Sequence, residues 1–146
     1  MIVLSQIIEQ IKAKDLKVTP QRVAILEAIM ELNNHPTVEN IVNFLKTNHP
    51  NIATGTVYNV LQTLVEVGLI RRVQTEKDNM RYEMLGEQHH HLYCHESDRI
   101  EDYYNSEISG IITTYFEKHR IEGFEIEDIR LHIKGKFKPV QKSTDA

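Results

Sequence analysis

Thr56-Val57-Tyr58-Asn59-Val60-Leu61-Gln62-Thr63-Leu64-Val65 leads through Gly68 into Leu69-Ile70-Arg71-Arg72-Val73-Gln74 and then Met80-Arg81-Tyr82-Glu83-Met84. In the first run Val57, Val60, Leu61, Leu64 and Val65 fall at i, i+3, i+4, i+7 and i+8, the repeat of a helix with one buried face. Thr56, Tyr58, Asn59, Gln62 and Thr63 are left largely on the other side. These uncharged hydrogen-bonding side chains suit contact with base edges and phosphates. Gly68 predicts the end of the helix. The two following runs read as strands around a turn at Glu76-Lys77-Asp78-Asn79. Arg71, Arg72 and Arg81 make this hairpin basic beside a helix of little net charge, the second half of a winged helix-turn-helix.

The preceding residues supply the other helices. Ser5 to Lys14 places Ile7, Ile8 and Ile11 at helical spacing. Thr19-Pro20-Gln21-Arg22 predicts a capped start with proline in the first turn. That second helix turns Val23, Leu26, Ile29 and Met30 inward and ends near Asn33-Asn34. Thr37 caps a third helix with Val38, Ile41, Val42 and Leu45 inward, closed by Asn48-His49-Pro50-Asn51. Residues 1–84 are thus expected to form a winged-helix DNA-binding domain. Arg22, Thr56, Tyr58, Asn59, Gln62, Arg71 and Arg72 are its candidate DNA contacts.

Beyond a hinge at residues 85–88, His91 to Cys94 and Arg99 to Tyr103 read as short strands. Ser106 is expected to cap a helix carrying Ile108, Ile111, Ile112, Tyr115 and Phe116. A last strand is expected from Glu125 to about Phe137, where Ile129, Leu131 and Ile133 alternate with Arg130, His132 and Lys134. So small a unit buries its own core poorly, and pairing with a second copy is the natural remedy. Residues 89–137 are therefore assigned to dimerisation and 138–146 to a disordered tail. The fold class is α+β. In an extended His89-His90-His91, the outer two imidazoles share a face and His90 points away. With Asp102 on a neighbouring strand they would form half of a metal site; the plainer alternative is a polar connector with exposed histidines.

Composition narrows the function. The charge of −4 lies entirely in residues 85–146, which hold 8 Lys and Arg against 12 Asp and Glu; residues 1–84 hold 9 of each. This argues against nucleic-acid binding by bulk charge but is compatible with a dimer using a few placed basic groups. No apolar run is long enough to span a membrane. The single cysteine, Cys94, excludes an internal disulfide, and no secretory signal pattern opens the chain. A cytoplasmic location is expected.

Taken together, Thr19-Pro20-Gln21-Arg22, His35-Pro36-Thr37, Thr56-Val57-Tyr58-Asn59, Gly68-Leu69-Ile70 and His89 to Cys94 followed by Asp102 resemble the ferric uptake regulator family of metal-dependent transcription factors. The resemblance implies a homodimeric repressor on palindromic double-stranded operator DNA, with no catalytic turnover. It also implies one regulatory divalent cation per subunit on His35, Glu83, His89, His91 and Asp102. Three imidazoles with carboxylates and no thiolate suit Fe²⁺ or Mn²⁺ and also take Zn²⁺, notably in purified protein. Many members carry a structural zinc on two Cys-x-x-Cys pairs. Here Ser97 stands in the partner position of Cys94 and no cysteine follows, so a four-thiolate zinc site is impossible. Cys94 reads as a small core residue, and His90, His95 and His132 as bystanders.

Asp102 resembles the peroxide-sensing branch, where the iron-uptake branch usually has glutamate; Glu83 points the other way. The peroxide branch implies Fe²⁺-dependent oxidation of a ligand imidazole, at His35 or His89, followed by release of the operator. The alternatives are a plain iron, zinc or manganese sensor of the same fold and, from a different class, a mononuclear metalloenzyme, which five protein ligands and a winged helix disfavour.

Overall fold

A computed structural model describes residues 4–77 and 79–140. Asp78 of the expected hairpin turn and residues 141–146 of the expected tail lie outside them. The chain divides into two compact units, one ending at Gly86 and the next beginning at Glu87. Among the described residues, five helices, one antiparallel hairpin and one small mixed sheet give the α+β class.

The first unit contains α1 (Leu4–Ala13), α2 (Pro20–Leu32), α3 (Val38–Asn48) and α4 (Thr54–Glu66), then the hairpin β1 (Ile70–Gln74) and β2 (Met80–Met84). The N-termini obey the sequence signals. Thr19 accepts a hydrogen bond from the Arg22 amide, and Thr37 and Asn40 close a reciprocal capping box at the start of α3. α4 starts one turn earlier than its apolar repeat and has no side-chain cap, Ala53 occupying that position. Its end is a Schellman turn: Gly68 lies at φ 78°, its amide reaches the Val65 carbonyl, and the Leu69 amide reaches Leu64. Ile7, Ile11, Ile25, Leu26, Ile41, Leu61, Leu64 and Ile70 are at most 1 % exposed and join the four helices and the hairpin in one core. The architecture is a winged helix-turn-helix.

The second unit contains β3 (His90–Cys94), β4 (Arg99–Tyr103), α5 (Ser106–Lys118) and β5 (His132–Lys134). β3 is central, antiparallel to β4 and parallel to β5. Two expectations are corrected. Asn105, not Ser106, caps α5, its side chain accepting from the Ile108 amide. The strand expected over Glu125–Phe137 shrinks to three residues paired with His91–Tyr93, the Leu131 amide just before it being diverted to the His90 side chain. Among the described residues, the buried apolar side chains here are Tyr93, Cys94 and Ile100, and α5 buries none.

Candidate metal centre and nucleic-acid face

In the first unit His35 and Glu83 meet because the loop after α2 is pinned to the wing. The Tyr82 amide donates to the Pro36 carbonyl at 2.9 Å, and Arg81 donates through Nη1 to the His35 carbonyl at 3.1 Å. Thr37 and Arg81 add an isolated bridge. These bonds hold His35 at φ 53°, a left-handed conformation that costs a non-glycine residue roughly 1–2 kcal/mol. The result is a buried imidazole whose Nε2 lies 2.9 Å from Glu83 Oε2. Arg71 stands directly opposite Glu83 in the hairpin register, its Nε 3.6 Å from Oε1.

In the second unit the pleat of β3 sorts the histidines as alternation requires. His91 stands opposite Asp102 of β4. His89 Nε2 and His91 Nε2 lie 3.2 and 3.7 Å from the same oxygen, Asp102 Oδ1. His89 Nδ1 donates to the Glu87 carbonyl at 2.9 Å, so Nε2 is the ring nitrogen turned toward the carboxylate and the one available to a metal. A carbonyl behind a histidine is the support that fixes ligand tautomer and orientation. Both rings are about 95 % buried and pack edge to face, while Asp102 is exposed.

His90, on the opposite face, is no idle bystander. Its ring is almost fully buried; Nδ1 accepts from the Leu131 amide at 2.9 Å and Nε2 donates to Ser109 Oγ at 2.8 Å. It ties β3 to α5 and to the approach of β5. His95 is exposed, and His132 lies beside the rings of His91 and Tyr93. A histidine bonded through both nitrogens carries no sequence signal that separates it from a ligand.

The two groups of donors, imidazole nitrogens and carboxylate oxygens without sulfur, suit a divalent cation of the Fe²⁺, Mn²⁺ or Zn²⁺ kind. Cys94 is buried, and hydrogen bonds from the Ser97 side chain and amide hold its thiol below the ordinary value, a cause invisible in a search for basic neighbours.

Of the candidate DNA contacts, Tyr58, Asn59 and Gln62 are exposed along α4, and Arg72 is exposed on β1. Thr56 is half-buried. Arg22 turns its Nη1 to the Lys17 carbonyl at 2.7 Å, and Arg71 lies against Glu83 rather than pointing into solvent.

The sequence matches the ferric uptake regulator family model over residues 13–134. The peroxide operon regulator of Bacillus subtilis is 30 % identical over 132 residues, 90 % of this chain and 89 % of that protein. The ferric uptake regulator of Francisella tularensis, solved with iron, is 29 % identical at a TM-score of 0.70, covering 84 % of this chain and 92 % of that one. The ferric uptake regulator of Helicobacter pylori shares the fold at a TM-score of 0.78 and 23 % identity, over 98 % of this chain and 97 % of that one. With its winged helix, its small mixed sheet and its histidine–carboxylate groups, the chain belongs to the ferric uptake regulator family.

Proposed function

We propose that the protein is a homodimeric transcriptional repressor whose operator binding requires a divalent cation and is abolished by hydrogen peroxide. The observation that carries the reading is the pair of incomplete ligand groups, one in each unit: His35 with Glu83, and His89 with His91 and Asp102. Two donors in one unit and three in the other each fall short of the four to six that such cations take. One cation shared by all five would complete both. His35 and Glu83 would thereby be tied to the second unit, fixing the spacing at which two α4 helices address half-sites of a palindrome. The cation acts as an effector because it binds that arrangement more tightly than the open one.

When bound, Fe²⁺ would supply the redox chemistry by which hydrogen peroxide adds oxygen to an imidazole ring. His35 and His89 are the proposed targets. An oxidised ring is a poorer base and ligand, so its unit is no longer held and the operator is released. The modification is stoichiometric, without turnover, so the protein is a regulator and not an enzyme. Asp102 and the similarity to a peroxide operon regulator support the peroxide reading. Glu83 and the similarity to an iron-bound uptake regulator support the second reading, a metal-level sensor insensitive to peroxide.

The test is to load the protein with Fe²⁺ under anaerobic conditions, treat it briefly with dilute peroxide, and follow operator binding and peptide masses together. One added oxygen on the peptide holding His35 or His89, with loss of DNA binding, is expected; Mn²⁺-loaded protein should show neither. Retained DNA binding with unmodified histidines leaves the metal-level sensor standing.

A further inference from the structure

Two arginines of the wing do not behave as surface arginines: Arg81 donates to the His35 carbonyl, and Arg71 faces a carboxylate. Arg71 stands directly across the hairpin from Glu83, with its Nε 3.6 Å from Oε1 and only 18 % of its side chain exposed, whereas its neighbour Arg72 points to solvent. The carboxylate it faces is 8 % exposed and makes its 2.9 Å contact with His35 through the other oxygen. A buried carboxylate needs a compensating positive charge, and Arg71 provides one. A divalent cation on His35 and Glu83 would provide another at the same carboxylate. Two cations cannot share it cheaply, since like charges at such separation repel strongly where water is scarce.

We infer that Arg71 is an internal competitor for the metal: its guanidinium neutralises Glu83 in the metal-free protein, and cation binding displaces it from Glu83 toward DNA phosphate. The inference rests on the metal-dependent reading above and adds a route by which occupancy at Glu83 alters the DNA-facing surface within one unit. At 3.6 Å the Nε contact is an ion pair without a good hydrogen bond, so the guanidinium can leave Glu83 without losing a directional bond. Guanidinium suits a second role on phosphate, which it meets with paired donors.

The exchange makes two quantitative demands on Arg71→Gln. Removing the competitor should tighten Mn²⁺ binding about tenfold, measured by competition with a chromophoric chelator. With Mn²⁺ saturating, loss of one phosphate contact should reduce the slope of log affinity for operator DNA against log salt by about 1. Arg71→Lys keeps the charge and should reverse the gain in Mn²⁺ affinity, and circular dichroism of all three proteins checks that the wing is folded. Unchanged or weaker Mn²⁺ binding in Arg71→Gln would overturn the competition, as would equal tightening in Arg71→Lys. An unchanged salt slope would overturn the transfer to DNA. A wild-type protein that binds no Mn²⁺ fails at the earlier step and refutes the metal reading together with this one.

Discussion

His90 shows how a residue between two candidate ligands can have a wholly different task. Its neutral ring receives the Leu131 amide on one nitrogen and gives its proton to Ser109, whose hydroxyl donates to the Asn105 carbonyl at 3.1 Å. The chain of bonds runs from the entry to β5 through β3 to the cap of α5. Replacing His90 by Leu keeps much of the volume but strands a backbone amide, a cost of about 1–3 kcal/mol. Urea unfolding of the metal-free protein should register that loss, and metal-free conditions separate it from any effect on ligation. An unchanged midpoint would mean that water replaces the imidazole. Cys94 is a contrasting case. The Ser97 hydrogen bonds favour its thiolate, yet burial at the end of β3 limits its access to reagents, which is why a lowered pKa alone does not make it a sensor.

The α4 helix and the hairpin behind it were the most legible elements, and the joint between them carries a sharp conformational requirement. Gly68 sits at φ 78° in the turn that hands α4 to β1. A Cβ there would meet Leu85 Cδ1 at 3.8 Å and Lys14 Nζ at 3.9 Å, ordinary contacts, so Gly68→Ala should cost only the left-handed penalty of about 1 kcal/mol. The measurement is the thermal midpoint. A much larger loss would indicate that the turn itself rearranges. The hairpin also marks where sequence reading stops. A turn confined to Glu76–Asn79 would set Thr75 opposite Met80 and therefore Arg72 opposite Glu83. The actual loop includes Thr75, whose hydroxyl lies 2.9 Å from the Lys77 carbonyl and 3.3 Å from that of Asn79, so Gln74 faces Met80 and Arg71 faces Glu83. One residue of register exchanges the two arginines between faces, and no composition rule sees it. The lost strand before His132 has a similar cause. Ile129 and Leu131 keep the alternation of a strand, but although the Leu131 carbonyl still accepts from the His91 amide, the Leu131 amide goes to the His90 side chain, which interrupts the ladder.

Helical spacing located much of the core of the first unit, but not the face of α2. There Ala24, Ile25 and Ala28 are buried along with Leu26 and Ile29, while the expected Val23 and Met30 are only half-buried. That helix is apolar nearly all round, and its spacing singles out no face. The spacing of the metal donors was far less informative: His35 and Glu83 are brought together by a backbone bridge and a left-handed loop, and only the resemblance to a family pointed to them as a pair. The second unit departs from ordinary globular packing in one respect that has a measurable consequence. Ile111, Tyr115, Ile121, Phe124 and Ile133 are 40–66 % exposed, while Ile112 and Phe116 on the adjoining stripe of α5 are half-buried. Covering five such side chains would contribute several kcal/mol at roughly 25 cal/mol per Å² of apolar area, enough to offset much of the cost of association. A second copy of the chain would cover them and would also place two α4 helices on one DNA. The double variant Ile111→Glu, Phe124→Glu should therefore sediment as a monomer at low micromolar concentration while keeping the helical circular dichroism of the first unit. Its operator affinity should fall by orders of magnitude, because a single winged helix reads only one half-site. A variant that remains dimeric would move the interface away from α5, and one that becomes monomeric without losing operator affinity would remove the need for a dimer in DNA binding.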